Sequence, residues 1–532
     1  MPFSASAGSA VIDEGRAVLG IELGSTRIKA MLTDPIGRPL ATGSHLWENR
    51  FVNRRWTYSE ADIWSGLQAC YADLTADAEQ RHGVRPTCFR AMGVSAMMHG
   101  YLAFDRDDEL LVPFRTWRNT NTEKASEELT RLFGLNVPLR WSVAHLYQAI
   151  IDGETHVPQI ASLNTLAGYV HRRLTGSNVL GVGDASGMFP IDSTSMTYDA
   201  HRMAQFDRLV EERCPDLRLG ELLPEVLVAG RQAGRLTAEG AALLDPSGGL
   251  ASGVPLCPPE GDAGTGMVAS NAISPRTGNV SVGTSIFAMI VLEDEASSVH
   301  PEIDVVATPT GQPVAMVHCN NGASEFDAWA GMFSELVAAV TSEVDRDVIF
   351  GALLRSSLEG DADAGGLLTF NYLSGEPITG VAEGRPLVIR TPGSRLTLAN
   401  FVRAQLYGAF ATLSLGMQVL AADQVEIDVI VAHGGLFRTE GVAQRFLAAA
   451  LNTDVAVRDS AGEGGAWGIA VLACFLDGAT SQGLSEFLDE AVFAGDVVSV
   501  VSPLANDVEG FRKFLDRFST ALPVERTAVA TT

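Results

Sequence analysis

The sequence predicts an α/β protein of two similar domains with a cleft between them. The chain has 532 residues, of which 46% are apolar and 19% charged, and this length exceeds what one hydrophobic core usually supports. One local pattern also occurs twice: an apolar strand, a glycine followed by two hydroxyl residues, and a second apolar strand. The two copies centre on Gly24-Ser25-Thr26 and Gly283-Thr284-Ser285. We therefore expect one copy in each domain.

The predicted domain boundaries follow from these copies and from changes in composition along the chain. We expect a leader, an N-terminal domain, a C-terminal domain and a C-terminal extension, at residues 1–16, 17–272, 273–497 and 498–532. The extension is charged and then rich in small residues. This composition predicts a peripheral helix with a frayed end.

In the N-terminal domain the first strand pattern leads into a hairpin around Asp34-Pro35-Ile36-Gly37, a sequence typical of tight turns. From Ser59 the apolar residues take helical spacing behind a serine cap. A short buried strand is predicted over 91–95 and runs into Met97-Met98-His99-Gly100. Two further helices are expected, at 123–133 and 163–174.

The C-terminal domain opens at Gly278 with the second copy of the repeated pattern. A long amphipathic helix is predicted over 398–420. An apolar strand over 427–432 runs into His433-Gly434-Gly435, and a helix is expected from about Gly441. The order of strands and helices therefore supports an α/β unit in this half as well.

The repeated turns indicate a binding site for phosphate. Backbone N–H groups that converge in a glycine-hydroxyl turn form a concave anion site, and the hydroxyl groups add further donors. A single turn of this kind is weak evidence, because such turns are common. Two copies in matching strand contexts predict a phosphate chain held between two domains, and hence a protein that binds nucleotide.

Composition excludes other classes of partner. A formal net charge of −26 argues against nucleic acid or an anionic membrane as the main partner. The cysteines form no CxxC pair, and no HxxxH spacing suggests zinc. The first residues lack the pattern of a signal peptide, and no apolar run approaches the ~20 residues that span a bilayer. We therefore expect a cytoplasmic location.

Several further motifs, taken in order, resemble those of the FGGY family of carbohydrate kinases, within the actin-like, ribonuclease-H-like ATPase superfamily. They are Glu22 and Lys29 around the first turn, Met98-His99-Gly100, Leu174-Thr175-Gly176, Asp184-Ala185-Ser186-Gly187, Gly261-Asp262-Ala263-Gly264, the second turn, Tyr372-Leu373-Ser374-Gly375-Glu376-Pro377, and Gly434-Gly435 with Gln444, Glu463, Gly465, Ala466 and Gly468. The resemblance covers about residues 17–479. It implies two ribonuclease-H-like domains with a cleft between them.

The resemblance also implies an activity. The protein would transfer the γ-phosphate of ATP to a hydroxyl of a ketose or polyol, most simply a ketopentose such as xylulose or ribulose. Asp262 would be the general base and, with Glu22, would hold Mg²⁺. Met98, His99, Asn119 and Asp262 would contact the sugar. The nucleotide would be bound by Gly24, Ser25, Thr26, Lys29, Gly283, Thr284, Ser285, Gly434, Gly435 and Gln444.

Some positions depart from the family pattern, mostly in the sugar half. Glu22 stands where the family usually has aspartate, and Ala263 where xylulokinases often have asparagine. The Trp-Asn-Asp-x-Arg-Thr stretch becomes Trp117-Arg118-Asn119-Thr120-Asn121-Thr122. His145 and Gln148 stand at the family's lysine and tryptophan positions. The sequence therefore predicts the kinase class better than it predicts the sugar.

Two other classes of protein remain as alternatives. An actin- or Hsp70-like ATPase would share both phosphate turns but would not need a Met-His-Gly pocket. A dinucleotide-dependent oxidoreductase is disfavoured, because no GxGxxG spacing follows the first strand, and a Walker A motif is absent too. A homodimer is compatible with the sequence, which does not determine the oligomeric state.

Overall fold

The computed structural model describes residues 5–294, 299–341, 344–458, 464–476 and 482–531. The strands of the N-terminal half are β1 (Val18–Leu23), β2 (Arg27–Thr33), β3 (Pro39–Leu46), β4 (Arg50–Val52), β5 (Arg55–Thr57), β6 (Ala91–Ala96), β7 (Leu102–Phe104), β8 (Ser162–Asn164), β9 (Val179–Gly181), β10 (Ile191–Asp192), β11 (Thr197–Tyr198), β12 (Glu225–Leu227) and β13 (Glu260–Gly261). Its helices are α1 (Ala5–Asp13), α2 (Glu60–His82), α3 (Glu123–Phe133), α4 (Ser142–Asp152), α5 (Leu166–Thr175), α6 (Val182–Ala185), α7 (Ala200–Val210), α8 (Leu219–Leu222), α9 (Ala238–Leu244) and α10 (Asp262–Ser270).

The C-terminal half has a similar mixture of elements. Its strands are β14 (Thr277–Val282), β15 (Ile286–Val291), β16 (Ile303–Ala307), β17 (Pro313–Cys319), β18 (Leu368–Phe370), β19 (Leu387–Ile389), β20 (Val429–Gly434), β21 (Asp454–Arg458) and β22 (Val498–Val501). Its helices are α11 (Ser324–Val340), α12 (Arg346–Ser356), α13 (Leu398–Ala422), α14 (Val442–Leu451), α15 (Gly464–Cys474), α16 (Leu484–Phe487) and α17 (Ala505–Thr531).

The two halves repeat one sheet topology. The N-terminal sheet has the order β3-β2-β1-β6-β13, and the C-terminal sheet contains the matching order β17-β15-β14-β20-β21. In each, the first three strands are antiparallel and the last two run parallel to the third. The C-terminal sheet adds β16 and β22 at its two edges. The predicted α/β fold with two similar domains is confirmed, and each unit has the ribonuclease-H-like strand order.

Local sequence signals account for many of the element ends. The Ser59 hydroxyl accepts the backbone N–H of Asp62 at 3.1 Å and so caps α2. The helix ends at Gly83, whose φ of 72° suits a glycine in the left-handed region. The Asp34 carboxylate accepts the N–H groups of Ile36 and Arg38 within the predicted β2–β3 turn. These predictions from local sequence are confirmed.

Helix α15 comes from the C-terminal half but packs against the N-terminal sheet. A Cβ at Gly20 of β1 would lie 2.2 Å from the Ala466 carbonyl oxygen, and one at Gly93 of β6 would lie 2.7 Å from Ile469. Such close approach of backbones requires glycine on the strands. After the C-terminal sheet, the chain therefore returns to cover the N-terminal sheet with α15. The predicted domain boundaries at residues 272 and 497 stay predictions.

The first and last helices of the described residues, α1 and α17, each pack on a core. Val11 and Ile12 of α1 are buried with the N-terminal core, so most of the predicted leader is a packed helix. Phe511, Phe514 and Phe518 of α17 are buried in the C-terminal core. The predicted helix is found with one face packed on the core and the other exposed, and it continues to Thr531, so the predicted frayed end is not seen. Within the described ranges, no helix combines the length and apolarity needed to cross a membrane.

Replacing Asp507 with alanine is expected to lower the free energy of unfolding by about 3–5 kcal/mol. The Asp507 carboxylate is buried and lies 2.5 Å from Arg445 Nε and 3.6 Å from Arg403 Nη1. Removing it leaves the fully buried Arg403 without its counter-charge. Urea unfolding followed by circular dichroism measures the loss. Glu509→Ala on the same helix removes an exposed pair with Arg512 and should change stability little; equal effects of the two changes would contradict the prediction.

Candidate active site

The carboxyl ends of three neighbouring parallel strands meet at one edge of the N-terminal sheet. Leu23 of β1 pairs with Ala96 of β6, and Ala96 pairs with Gly261 of β13. The residues that follow these three strands are the first phosphate turn, the Met-His-Gly loop (residues 97–100) and Asp262. Loops that leave the carboxyl ends of parallel strands commonly form binding sites. The topology therefore brings three separately predicted motifs to one place.

The first phosphate turn is held from outside by aromatic side chains. Trp47 Nε1 donates to the Gly24 carbonyl at 2.7 Å, and the Tyr58 hydroxyl donates to the Ser25 carbonyl at 2.6 Å. Trp117 Nε1 donates to the Ser25 hydroxyl at 3.3 Å. With its carbonyls occupied in this way, the turn can present its N–H groups to an anion. Sequence analysis did not identify Trp47 and Tyr58, because nothing near them in the chain marks them as partners of the turn.

The second phosphate turn is held by the chain that follows β17. The N–H of Ala323 donates to the Gly283 carbonyl at 2.8 Å, and the N–H of Gly322 donates to the Thr284 carbonyl at 2.7 Å. Asn371 in turn donates its side-chain amide to the Gly322 carbonyl at 2.8 Å. Thr284 and Asn371 line a polar cavity of about 160 Å³ beside the turn. Both turns thus have their carbonyl groups bound by neighbouring segments.

The predicted adenosine glycines lie beside the second turn. Gly434 ends β20 and pairs with Val282, the residue before Gly283. Its φ is 122°, and a Cβ there would lie 2.0 Å from the Val282 carbonyl oxygen, so only glycine fits. A Cβ on Gly435 would meet open space. The glycine pair therefore leaves room for a ligand next to the phosphate turn.

The other residues predicted for the adenosine motif make contacts away from the Gly434-Gly435 pair. Both amide hydrogens of Gln444 are donated, at 2.8 Å, to the carbonyls of Val455 and Ser499. The buried Gln444 thus ties α14 to two strands, so these contacts do not support its predicted nucleotide contact. Gly465 lies against the first strand instead, since a Cβ there would be 2.4 Å from the Glu22 carboxylate. Glu463 lies outside the described residues.

Asp262 is the first residue of α10 and joins this helix to the Met-His-Gly loop. Its carboxylate Oδ1 accepts the Met98 N–H at 3.1 Å. Solvent reaches the side chain, but the surrounding protein removes much of its hydration and raises its pKa. The bond from Met98 and the charge of Arg140 oppose this rise of the pKa. The candidate base is therefore fixed directly against the candidate sugar loop.

Glu22 lies on β1 opposite Lys29 of β2. Burial raises the pKa of the Glu22 carboxyl, the positive charge of Lys29 lowers it, and the negative charge of Asp262 raises it again. Two carboxylates that disfavour each other's charge form a site that a divalent cation would stabilise. Among the described residues, no group of three or more His, Cys, Asp or Glu side chains could hold a metal by itself. This donor set fits Mg²⁺, which commonly takes one or two carboxylates together with substrate phosphates and water.

The Met-His-Gly loop has a strained and buried histidine. His99 has a φ of 70°, and its Nδ1 lies 3.4 Å from the Gly187 carbonyl oxygen. Burial, together with the charge of Arg140, holds the pKa of His99 well below its usual value, so the ring is neutral. A Cβ at Gly187 would lie 2.7 Å from His99 Nδ1 and 3.0 Å from Met98 Cε. The predicted motif of residues 184–187 therefore packs directly on the loop.

Asn119 does not have the contacts expected of a residue that binds sugar. Its amide nitrogen donates to the carbonyls of Trp56 at 2.8 Å and Thr116 at 3.0 Å. Its amide oxygen accepts the Trp56 N–H at 2.9 Å. These bonds occupy both donors, so Asn119 ties its loop to β5. The predicted substrate contact of Asn119 is not supported, because backbone groups take up the side chain.

Two further carboxyl groups, which sequence analysis did not assign as site residues, lie beside Asp262. The Glu260 carboxylate accepts the N–H of Asp184 at 2.9 Å, and the Asp184 carboxylate accepts the Thr165 hydroxyl at 2.6 Å. Burial raises the pKa of Asp184 to about 7 and that of Glu260 to about 8. Gly181 and Gly183 leave the space that the Glu260 side chain fills. The surroundings of Asp262 are therefore rich in carboxyl groups.

A duplicated ribonuclease-H-like unit with a phosphate turn in each half, and a carboxylate beside a Met-His-Gly loop, defines a two-domain sugar kinase. Residues 17–269 match the N-terminal domain of the FGGY family of carbohydrate kinases, and residues 278–476 match its C-terminal domain. The chain belongs to this family and is a phosphotransferase. Kinases of the family use ATP as a substrate.

Individual relatives are distant. The chain is 20% identical over 516 residues to a xylulose kinase from Haemophilus influenzae, covering 95% of this chain and 99% of the relative. A solved xylulose kinase from Rhodospirillum rubrum superposes with a TM-score of 0.75 at 20% identity, covering 96% of this chain and 99% of that one. A gluconate kinase from Lactobacillus acidophilus gives the same TM-score at 18% identity, covering 97% and 98%. These structures share the fold of the chain.

Proposed function

We propose that the protein transfers the γ-phosphate of ATP to a hydroxyl of a neutral ketose or polyol, most simply a ketopentose such as xylulose or ribulose. The observation that carries the proposal is the meeting of the first phosphate turn, the Met-His-Gly loop and Asp262 at one sheet edge. A sugar on the loop and a phosphate on the turn would then both lie near one carboxylate. Phosphoryl transfer depends mainly on such positioning.

In this proposal Asp262 is the general base. Its carboxylate takes the proton of the attacking hydroxyl, and the Met98 N–H holds the carboxylate in a fixed orientation. Neutral His99 hydrogen-bonds a sugar hydroxyl, while Met98 packs against the carbon skeleton. The N–H groups and hydroxyls of the two turns, with Lys29, bind the phosphates. The predicted cleft would exclude water and so limit hydrolysis of ATP.

Magnesium would be held by Glu22 and Asp262. When bound, it would neutralise phosphate charge, which is its usual contribution in kinases. The longer side chain of Glu22 fits because Gly465 of α15 has no side chain in the space that the Glu22 carboxylate fills. Lys29, opposite Glu22 on the hairpin, adds a positive charge on the same side.

The charges near the loop favour a neutral substrate over a sugar acid. Arg140 is paired with Asp304, and His99 is uncharged. The carboxylate of Asp262 lies close by, on the Met98 N–H. The charge of Asp262 would therefore repel a carboxylate on the substrate, while part of the positive charge of Arg140 is offset by its partner Asp304. This favours ketoses and polyols over aldonates such as gluconate.

A panel of ketoses, polyols and aldonates tests the proposal. ADP release from ATP and Mg²⁺ is measured with each compound, and the product is identified by mass. We expect sugar-dependent release with a neutral ketose or polyol and background release with every aldonate. ATP hydrolysis that no sugar changes would instead favour the actin- or Hsp70-like alternative. Preference for an aldonate would overturn the charge argument and the proposed substrate class, but not the kinase activity. The cytoplasmic location and the homodimer stay predictions.

A further inference from the structure

The edge strand β16 joins the C-terminal sheet to the N-terminal half near the Met-His-Gly loop. Asp304 of β16 forms an ion pair with Arg140, and the side chains are only 12% and 21% exposed. Asn136 adds donor bonds of 3.1 Å to the Asp304 carboxylate and 3.0 Å to the Ile303 carbonyl. Removing either side chain of a partly buried ion pair leaves the other charge without its partner, which destabilises the contact strongly.

The same segment that reaches Asp304 also holds the loop. The Gly100 N–H donates to the Arg140 carbonyl at 3.2 Å, and the Ser142 hydroxyl donates to the Gly100 carbonyl at 2.6 Å. Both backbone groups of Gly100 are therefore bound by residues 140–142. Arg140 connects the C-terminal sheet with the residue next to His99.

A second path runs through the motif of residues 184–187. The N–H of Ala307, at the end of β16, donates to the Ser186 hydroxyl at 2.9 Å. The neighbouring Gly187 packs against His99. Both supports of the Met-His-Gly loop therefore contact the same edge strand of the other half.

We propose that Arg140 and Asp304 are positioning residues. They hold the Met-His-Gly loop at a fixed position relative to the C-terminal half during phosphoryl transfer. The role rests on the proposed kinase function, because it concerns the alignment of a sugar hydroxyl with a phosphate. Neither side chain is assigned to the reacting atoms. Their proposed effect is on geometry, and a displacement of about 1 Å at the reacting atoms can cost about 10²-fold in rate. Because the charge of Arg140 also lowers the pKa of Asp262, Asp304→Asn, which keeps that charge, is the variant that reports the position of the loop.

The test uses Asp304→Asn and Arg140→Met in the full chain. Each should lower kcat by about 10- to 100-fold with a much smaller change in the KM for sugar. Arg140→Lys, which keeps the charge, should retain more activity than Arg140→Met. Asp108→Asn is the matched control, since Asp108 pairs with Arg172 within the N-terminal half and should leave kcat unchanged.

Hydrogen exchange of the ligand-free protein gives a readout that does not need activity. Asp304→Asn should speed exchange in residues 98–104, and Asp108→Asn should not. Wild-type kcat and exchange in both Asp304→Asn and Arg140→Met would overturn the inference. Faster exchange with an unchanged kcat would also overturn it, because the ion pair would then stabilise the loop without affecting catalysis. A wild-type protein that phosphorylates no sugar is a different result, and it refutes the proposed function itself.

Discussion

Asp262→Asn is expected to lower the rate of sugar phosphorylation by about 10²- to 10⁴-fold, the usual contribution of a general base. The amide keeps the size of the carboxylate and can still accept the Met98 N–H, so the loop and α10 should stay in place. It cannot take a proton from the attacking hydroxyl. Coupled measurement of ADP release gives kcat, and calorimetric titration with an ATP analogue should show that nucleotide still binds.

The matched control for this change is Asp199→Asn. Asp199 is the N-cap of α7, where its carboxylate accepts the Arg202 N–H at 3.0 Å, and asparagine caps helices about equally well. This variant should have the activity of the wild type. If Asp262→Asn kept more than about a tenth of the wild-type kcat, Asp262 would lose its assignment as the base.

Gly434→Ala should raise the KM for ATP by about tenfold or more. At Gly434 the φ of 122° alone strains any other residue by about 1–3 kcal/mol. A new Cβ would also lie 2.0 Å from the Val282 carbonyl oxygen and would displace the strand that ends in the second phosphate turn. A loss of 1.4 kcal/mol of binding energy corresponds to about tenfold in affinity.

ATP titrations of both variants, with thermal unfolding of each, measure this prediction. At the neighbouring Gly435 an added methyl group would meet no protein atom, so Gly435→Ala should keep the thermal stability of the wild type, and a higher KM in that variant would come from a clash with the ligand alone. Should Gly434→Ala fail to fold, Gly435→Ala still reports whether this turn tolerates a side chain facing the ligand space. A wild-type KM for ATP in a folded Gly434→Ala protein would remove Gly434 from the nucleotide site.

Local patterns were enough to predict most elements near the site. The repeated turns, the Ser59 cap and the strand over 91–95 depend on neighbours within a few residues, and each is found in the structure. The last helix was also predicted, but its burial was not. Its phenylalanines at helical spacing form an apolar face that predicts packing, but only the tertiary structure shows which core they enter.

Polar residues within motifs were predicted less well. Asn119 and Gln444 lie where the resemblance implied ligand contacts, yet backbone carbonyls of Trp56, Val455 and Ser499 occupy their amides. The sequence of a motif does not show which buried backbone groups its polar side chains will hydrogen-bond. Buried carbonyl groups must be hydrogen-bonded, and that demand arises only when the chain is folded.

The sequence by itself determined the α/β class, the duplication and the kinase family, because these rest on short-range patterns and on the order of motifs. Only the tertiary structure decided which side chains meet at the site. Met98 and Asp262 are 164 residues apart, and the same separation divides Arg140 from Asp304. Contacts over such distances are set by the register of parallel strands and by the packing of one half on the other, and no local pattern encodes them.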